Sequence, residues 1–180
     1  ATVSTRIEPY LCPTMVLPRP VPEESCGEPK RAPGSYAVCA GTVNPWRERH
    51  DGAIVRQLDG ITRFRDITDG TSQTLMVGEF DYGLKNYTWR RGPCAGRLRW
   101  GAAAWAVGYP GLSIGTTRGV FNSDRLINGY DEFYTFRSDH PGGVNFTLVD
   151  GSVRFISEKI DANLLDALAT RQGGEPIGEF

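Results

Sequence analysis

The sequence predicts an α+β fold: a loop-rich antiparallel sheet with one C-terminal helix packed against it. Three observations carry that expectation. Asp150-Gly151 lies between two runs of patterned apolar residues, a strong short-range hairpin signal. Ile160, Leu164, Leu165 and Leu168 fall on one side of a short helix. The chain of 180 residues carries 22 glycines and 12 prolines, which suits turns and short strands more than a helical bundle. A single domain over residues 1–180 accommodates this length and can bury a core of its own.

Residues 13–34 read as an irregular arm, because Pro13, Pro18, Pro20, Pro22, Pro29 and Pro33 deny it ladder hydrogen bonds. Ser35-Tyr36-Ala37-Val38-Cys39 predicts a strand, as does the apolar run Leu75-Met76-Val77 between Gly70 and Gly78. Residues 86–91 and 98–105 are further strand candidates, and residues 106–143 predict long loops. The hairpin spans 144–157. A two-residue turn at Asp150-Gly151 would set Leu148 opposite Val153 and Phe146 opposite Phe155, gathering Val144, Phe146, Leu148, Val153 and Phe155 on one face. The helix spans 161–171, with Asp161 as N-cap and Gly173-Gly174 beyond its end, and should cover the apolar hairpin face.

The charge balance, 20 basic against 21 acidic residues, argues against nucleic acid as a partner. No stretch approaches the ~20 apolar residues of a membrane-spanning helix. Neither Gly-x-Ser-x-Gly, His-Glu-x-x-His nor Gly-x-x-x-x-Gly-Lys occurs, so no enzyme is expected. His140 is the residue most open to a functional role. A ring hydrogen bond that fixes the entry into the hairpin is the leading expectation, with metal ligation and general-base chemistry as alternatives. His50 lies in the charged run Arg47-Glu48-Arg49-His50-Asp51 and should be solvated. Asp66 and Asp69, around Gly70, form an oxygen-rich loop that can hold calcium, although it lacks EF-hand spacing; a capped turn is the simpler reading. No other cofactor is expected. Glu79 follows a buried-looking strand and needs a partner, for which Arg90, Arg91 and Arg154 are candidates. Trp89, Trp100, Trp105, Tyr109, Tyr130 and Tyr134 can fill a core, or stack on sugar rings in a carbohydrate- or solute-binding module.

Three ordered blocks then carry a resemblance. His140, nine residues and Asp150-Gly151 form an H-X9-DG signature. Residues 64–79 read FRDITDGTSQTLMVGE, and residues 168–175 read LATRQGGE; Cys12-Pro13-Thr14 stands near the start. The chain resembles the prepilin-type-processing-associated H-X9-DG proteins, also called DUF1559 or solute-binding family 10. The resemblance implies a pilin-like head whose apolar N-terminal helix is absent from this chain. It implies an exported, extracytoplasmic protein at the cell surface, in the periplasm or outside the cell. Such a head is structural, with protein partners in a filament, pseudopilus or envelope assembly. Related pseudopilins use calcium in loops near the sheet, which keeps Asp66 and Asp69 in view. Export also favours two disulfides among Cys12, Cys26, Cys39 and Cys94, and the shortest loops give Cys12–Cys26 and Cys39–Cys94.

Overall fold

The computed structural model describes residues 2–16, 31–81, 83–99, 104–178 and 180. Its elements are β1 (Tyr36–Cys39), β2 (Leu75–Glu79), β3 (Ile114–Gly115), β4 (Gly143–Leu148), β5 (Val153–Ser157) and α1 (Ala162–Ala169). The strands form one five-stranded sheet in the order β3-β1-β2-β4-β5. Neighbours are antiparallel except β1 and β3, which pair parallel through Val38–Ile114 and Cys39–Gly115. The sheet is therefore mixed, not wholly antiparallel. The long connection from Cys39 to Ile114 gives β3 the crossover that a parallel neighbour requires. Of the further strand candidates, the described residues retain only isolated bridges, Thr88–Leu98 and Ala104–Pro33. Residues 17–30 of the proline-rich arm and 100–103 lie outside the described residues.

The hairpin forms, but its register differs by one residue from the expected one. Phe146 pairs with Arg154, Asn145 with Phe155 and Thr147 with Val153. The Leu148 N–H donates to the Ser152 carbonyl and the Gly151 N–H to the Leu148 carbonyl, so three residues, Val149-Asp150-Gly151, form the loop. Only Gly151 takes a positive φ, +86°; Asp150 instead accepts from the Ser152 N–H at 2.9 Å and hydroxyl at 2.7 Å. Three-residue loops place glycine in the left-handed position, and the Asp side chain supplies the local turn bond. Side chains alternate, so this one-residue difference moves Val153 and Phe155 to the other face. They are 65% and 51% exposed, while Ile156 enters the core.

That core joins Leu75, Phe80, Phe136, Val144, Phe146, Leu148 and Ile156 to Leu165, Leu168 and Ala169 of α1. The helix thus covers this face of the sheet as expected. Asp161 caps it, accepting from the Asn163 and Leu164 N–H groups at 2.9 and 3.1 Å. Gly78 sits where the Phe146 and Phe136 rings close on β2: a Cβ there would lie 2.3 Å from one ring and 2.7 Å from the other. The opposite face is roofed over β1 and β2 by a second cluster. Cys12, Met15, Ala104 and Leu112 pack there with Leu11, Tyr36 and Val107. This roof stops short of β4 and β5, which explains the exposure of Val153 and Phe155.

Both expected disulfide pairings fail. Cys12 and Cys39 are buried free thiols, each placed by packing in a different cluster. Cys94 is disulfide-bonded, and Cys26 lies outside the described residues.

Two outcomes follow from this packing. Gly78→Ala should destabilise the fold by about 2 kcal/mol through overpacking against Phe146, measured by denaturant unfolding; a variant with an unchanged midpoint would contradict this packing. Alkylation in denaturant without reductant, followed by peptide mapping, should label Cys12 and Cys39 and leave Cys94 unlabelled.

Candidate functional site

Glu79 is the last residue of β2. Gly78 before it faces the aromatic core, so alternation sends the Glu79 side chain to the opposite face, beneath the N-terminal segment. It is 3% exposed. Its Oε2 accepts from the backbone N–H of Asn145 at 2.8 Å and from the Asn145 side-chain amide at 3.1 Å. Its Oε1 lies 3.1 Å from His140 Nε2 and 3.4 Å from Cys12 Sγ. Cys12 Sγ and His140 Nε2 are 3.3 Å apart. Three groups from distant parts of the chain therefore converge on one point. None of the arginines expected to pair with Glu79 does so.

Each approach is fixed by the backbone. The Cys12 N–H donates to Ser35 Oγ at 2.8 Å, and Cys12 Sγ also meets Thr14 Oγ1 at 3.0 Å. The His140 N–H donates to Ser138 Oγ at 3.1 Å. Neighbouring Asp139 points the other way: its Oδ2 accepts from the Val16 N–H at 2.7 Å, and its own N–H donates to Asp81 Oδ2. Two consecutive residues thus hold the same N-terminal segment. Burial pushes the Cys12 thiol above its ordinary pKa, Thr14 opposes this, and Glu79 adds to the rise. Burial and the nearby Asp139 push Asp81 up to about 7.

This geometry is not that of a thiol nucleophile. A base and its orienting carboxylate use opposite nitrogens of the imidazole ring. Here Nε2 faces both the thiol and the carboxylate, and the carboxylate disfavours a thiolate. Sulfur, nitrogen and oxygen donors of one each, turned inward on a common point, are instead the kind of donor set that could hold a metal ion. Among the described residues this is the group of three that can hold a metal ion.

The remaining motif residues act as clamps. The Asp150 N–H donates to the Thr71 carbonyl and the Val149 N–H to the Thr74 carbonyl, both at 3.0 Å, so the Asp-Gly loop docks on the segment after Gly70. Asp69 accepts from the Gly173 and Gly174 N–H groups at 2.7 and 3.0 Å; Asp66 accepts from the Arg63 N–H at 2.8 Å. The two carboxylates that suggested calcium are thus each engaged with separate backbone amides. Arg171 donates to the carbonyls of His50 and Gly52 at 3.0 and 2.9 Å. His50 is not solvated but buried: its Nε2 lies 3.2 Å from the Pro45 carbonyl and its Nδ1 accepts from the Arg56 N–H at 3.4 Å.

The aromatic residues do not form one platform. Trp89 and Tyr130 line a hollow with Tyr87 and Arg99, whose guanidinium lies 4.5 Å from the Trp89 ring centre. Tyr109 and Tyr134 flank Trp46, at 4.4 and 6.5 Å between ring centres. Trp105 stacks on Tyr10 at 5.7 Å, and Trp100 lies outside the described residues. Sequence reasoning singled out His140 and Glu79 but assigned Cys12 to a disulfide. The available signal was that these three residues stand in three separate motif blocks; no local spacing joins them.

No curated protein and no solved structure matches the chain. A family model described as "Protein of unknown function (DUF1559)" matches residues 2–163, most of the chain and all three residues of the cluster. The chain therefore belongs to the DUF1559 family, as its H-X9-DG signature implied.

Proposed function

We propose that this domain is an assembly head: a pilin-like or pseudopilin-like structural subunit, exported to the cell envelope, without catalytic activity of its own. The observation that carries the reading is the bare half of the sheet. β5 is an edge strand, and Val153 and Phe155 stand exposed on the face that the N-terminal roof leaves open. An edge strand with apolar residues beside it is a liability unless a neighbour covers it, and lateral contact with like heads would do so. The resemblance to H-X9-DG proteins supports the same role and the extracytoplasmic location.

A second reading has one observation in its favour. Tyr10, Tyr36 and Trp105, with Val38, Ile54 and Val77, line a largely apolar hollow of about 440 Å³ on the same face. Stacked aromatic walls suit a sugar ring or another small solute.

The two readings separate experimentally. If the head assembles through β5, light scattering should detect concentration-dependent self-association that Phe155→Arg weakens about tenfold or more at unchanged melting temperature. Wild-type protein that stays monomeric at all concentrations would end that reading. Glycan binding by calorimetry, lost in Trp105→Ala and retained in Phe155→Arg, would establish the second.

A further inference from the structure

We infer that Cys12, Glu79 and His140 form a three-ligand site for one divalent cation of the zinc class. This goes beyond the assembly reading, does not depend on it, and departs from the sequence-based expectation that no cofactor is held. The donor set selects the ion. Thiolate, imidazole and carboxylate together suit zinc, whereas calcium and magnesium take oxygen ligands.

The distances support the assignment. Zinc bonds of about 2.3 Å to sulfur and about 2.0–2.2 Å to nitrogen and oxygen imply tetrahedral edges of about 3.6 Å from sulfur and about 3.4 Å between nitrogen and oxygen. The donors stand 3.3, 3.4 and 3.1 Å apart, so outward movements of about 0.2–0.3 Å complete the tetrahedron. The surroundings are those of a supported site. Asn145 holds Glu79 Oε2 by two hydrogen bonds and leaves Oε1 turned to the centre. Ser35 holds the Cys12 backbone. The His140 side chain is 28% exposed while that of Glu79 is 4% exposed, so the fourth position opens toward solvent on the histidine side and can take water.

The protons balance without a co-reactant. On binding, the Cys12 thiol releases its proton to solvent. His140 stays neutral, with its proton on Nδ1 and the Nε2 lone pair on the cation. Glu79 contributes a carboxylate, so two anionic ligands meet a double positive charge. Without a cation, Nε2 can offer either a hydrogen or a lone pair, not both, to the two acidic groups it faces. The consequence for the fold is direct: the ion would tie the N-terminal segment, β2 and the turn before β4 at a single point.

The test uses chelator-treated protein, titrated with Zn²⁺ by calorimetry and with Co²⁺ by absorption spectroscopy. One equivalent of zinc should bind, and cobalt should give a thiolate-to-metal charge-transfer band with visible bands of four-coordinate intensity. Cys12→Ser should lose the charge-transfer band, and His140→Ala and Glu79→Gln should each weaken zinc binding at least about tenfold. Asn145→Ala leaves all three ligands in place and should weaken zinc about 10–100-fold. Phe155→Arg should bind zinc like wild type, which keeps a failure here distinct from a failure of the assembly reading. Wild-type protein without stoichiometric zinc, or a charge-transfer band that survives in Cys12→Ser, overturns the site. If the ligand variants do not fold, the wild-type cobalt band and the Asn145→Ala shift decide, and absence of either overturns it.

Discussion

A carboxylate at the end of a buried strand governs one half of this molecule. Glu79 cannot be buried beside Tyr36, its partner across β1, without groups that satisfy both oxygens. Those groups come from residue 12, residue 140 and residue 145. Meeting the demand of one side chain therefore fixes the N-terminal segment over the sheet, the turn before β4 and the position of β4 itself. Val16 and Asp139 repeat the tie, four residues after Cys12 and one residue before His140.

The other end of β2 is held by a different device. There the chain uses backbone amides and short polar side chains. The Asp-Gly loop docks on Thr71 and Thr74, Asp69 receives Gly173 and Gly174, and Arg171 spans the carbonyls of His50 and Gly52. The motif blocks that identify the family thus grip β2 at both ends. Between them Gly78 admits the Phe146 ring, so the strand is positioned along its length and across its thickness.

Local signals in the sequence proved sound where the physics is local. The period of Leu164, Leu165 and Leu168 and the Asp161 cap gave α1, and the apolar runs gave β1 and β2. The hairpin was legible, but its register was not. Asp-Gly serves a two-residue turn and also a three-residue loop with glycine in the left-handed position, and the patterned residues alone favoured the former. Docking of Val149 and Asp150 on Thr74 and Thr71 supports the longer loop, and nothing in the hairpin's own sequence reveals that tertiary contact. The cluster was illegible for the same reason. Cysteines in a chain read as exported invite pairing, and only the fold shows that Cys12 faces a histidine and a glutamate. His50 likewise looked solvated among charges until Pro45 and Arg56 closed around it.

The separation between Cys12 and His140, 128 residues, has a kinetic meaning. The roof over β1 and β2 cannot be pinned until the segment before β4 has been placed, and β4 itself pairs with a strand nearly 70 residues earlier in the chain. Non-local closures of this kind raise the entropy of the folding transition state and slow its crossing. A chain wired in this way completes its native structure only after almost all of it has emerged.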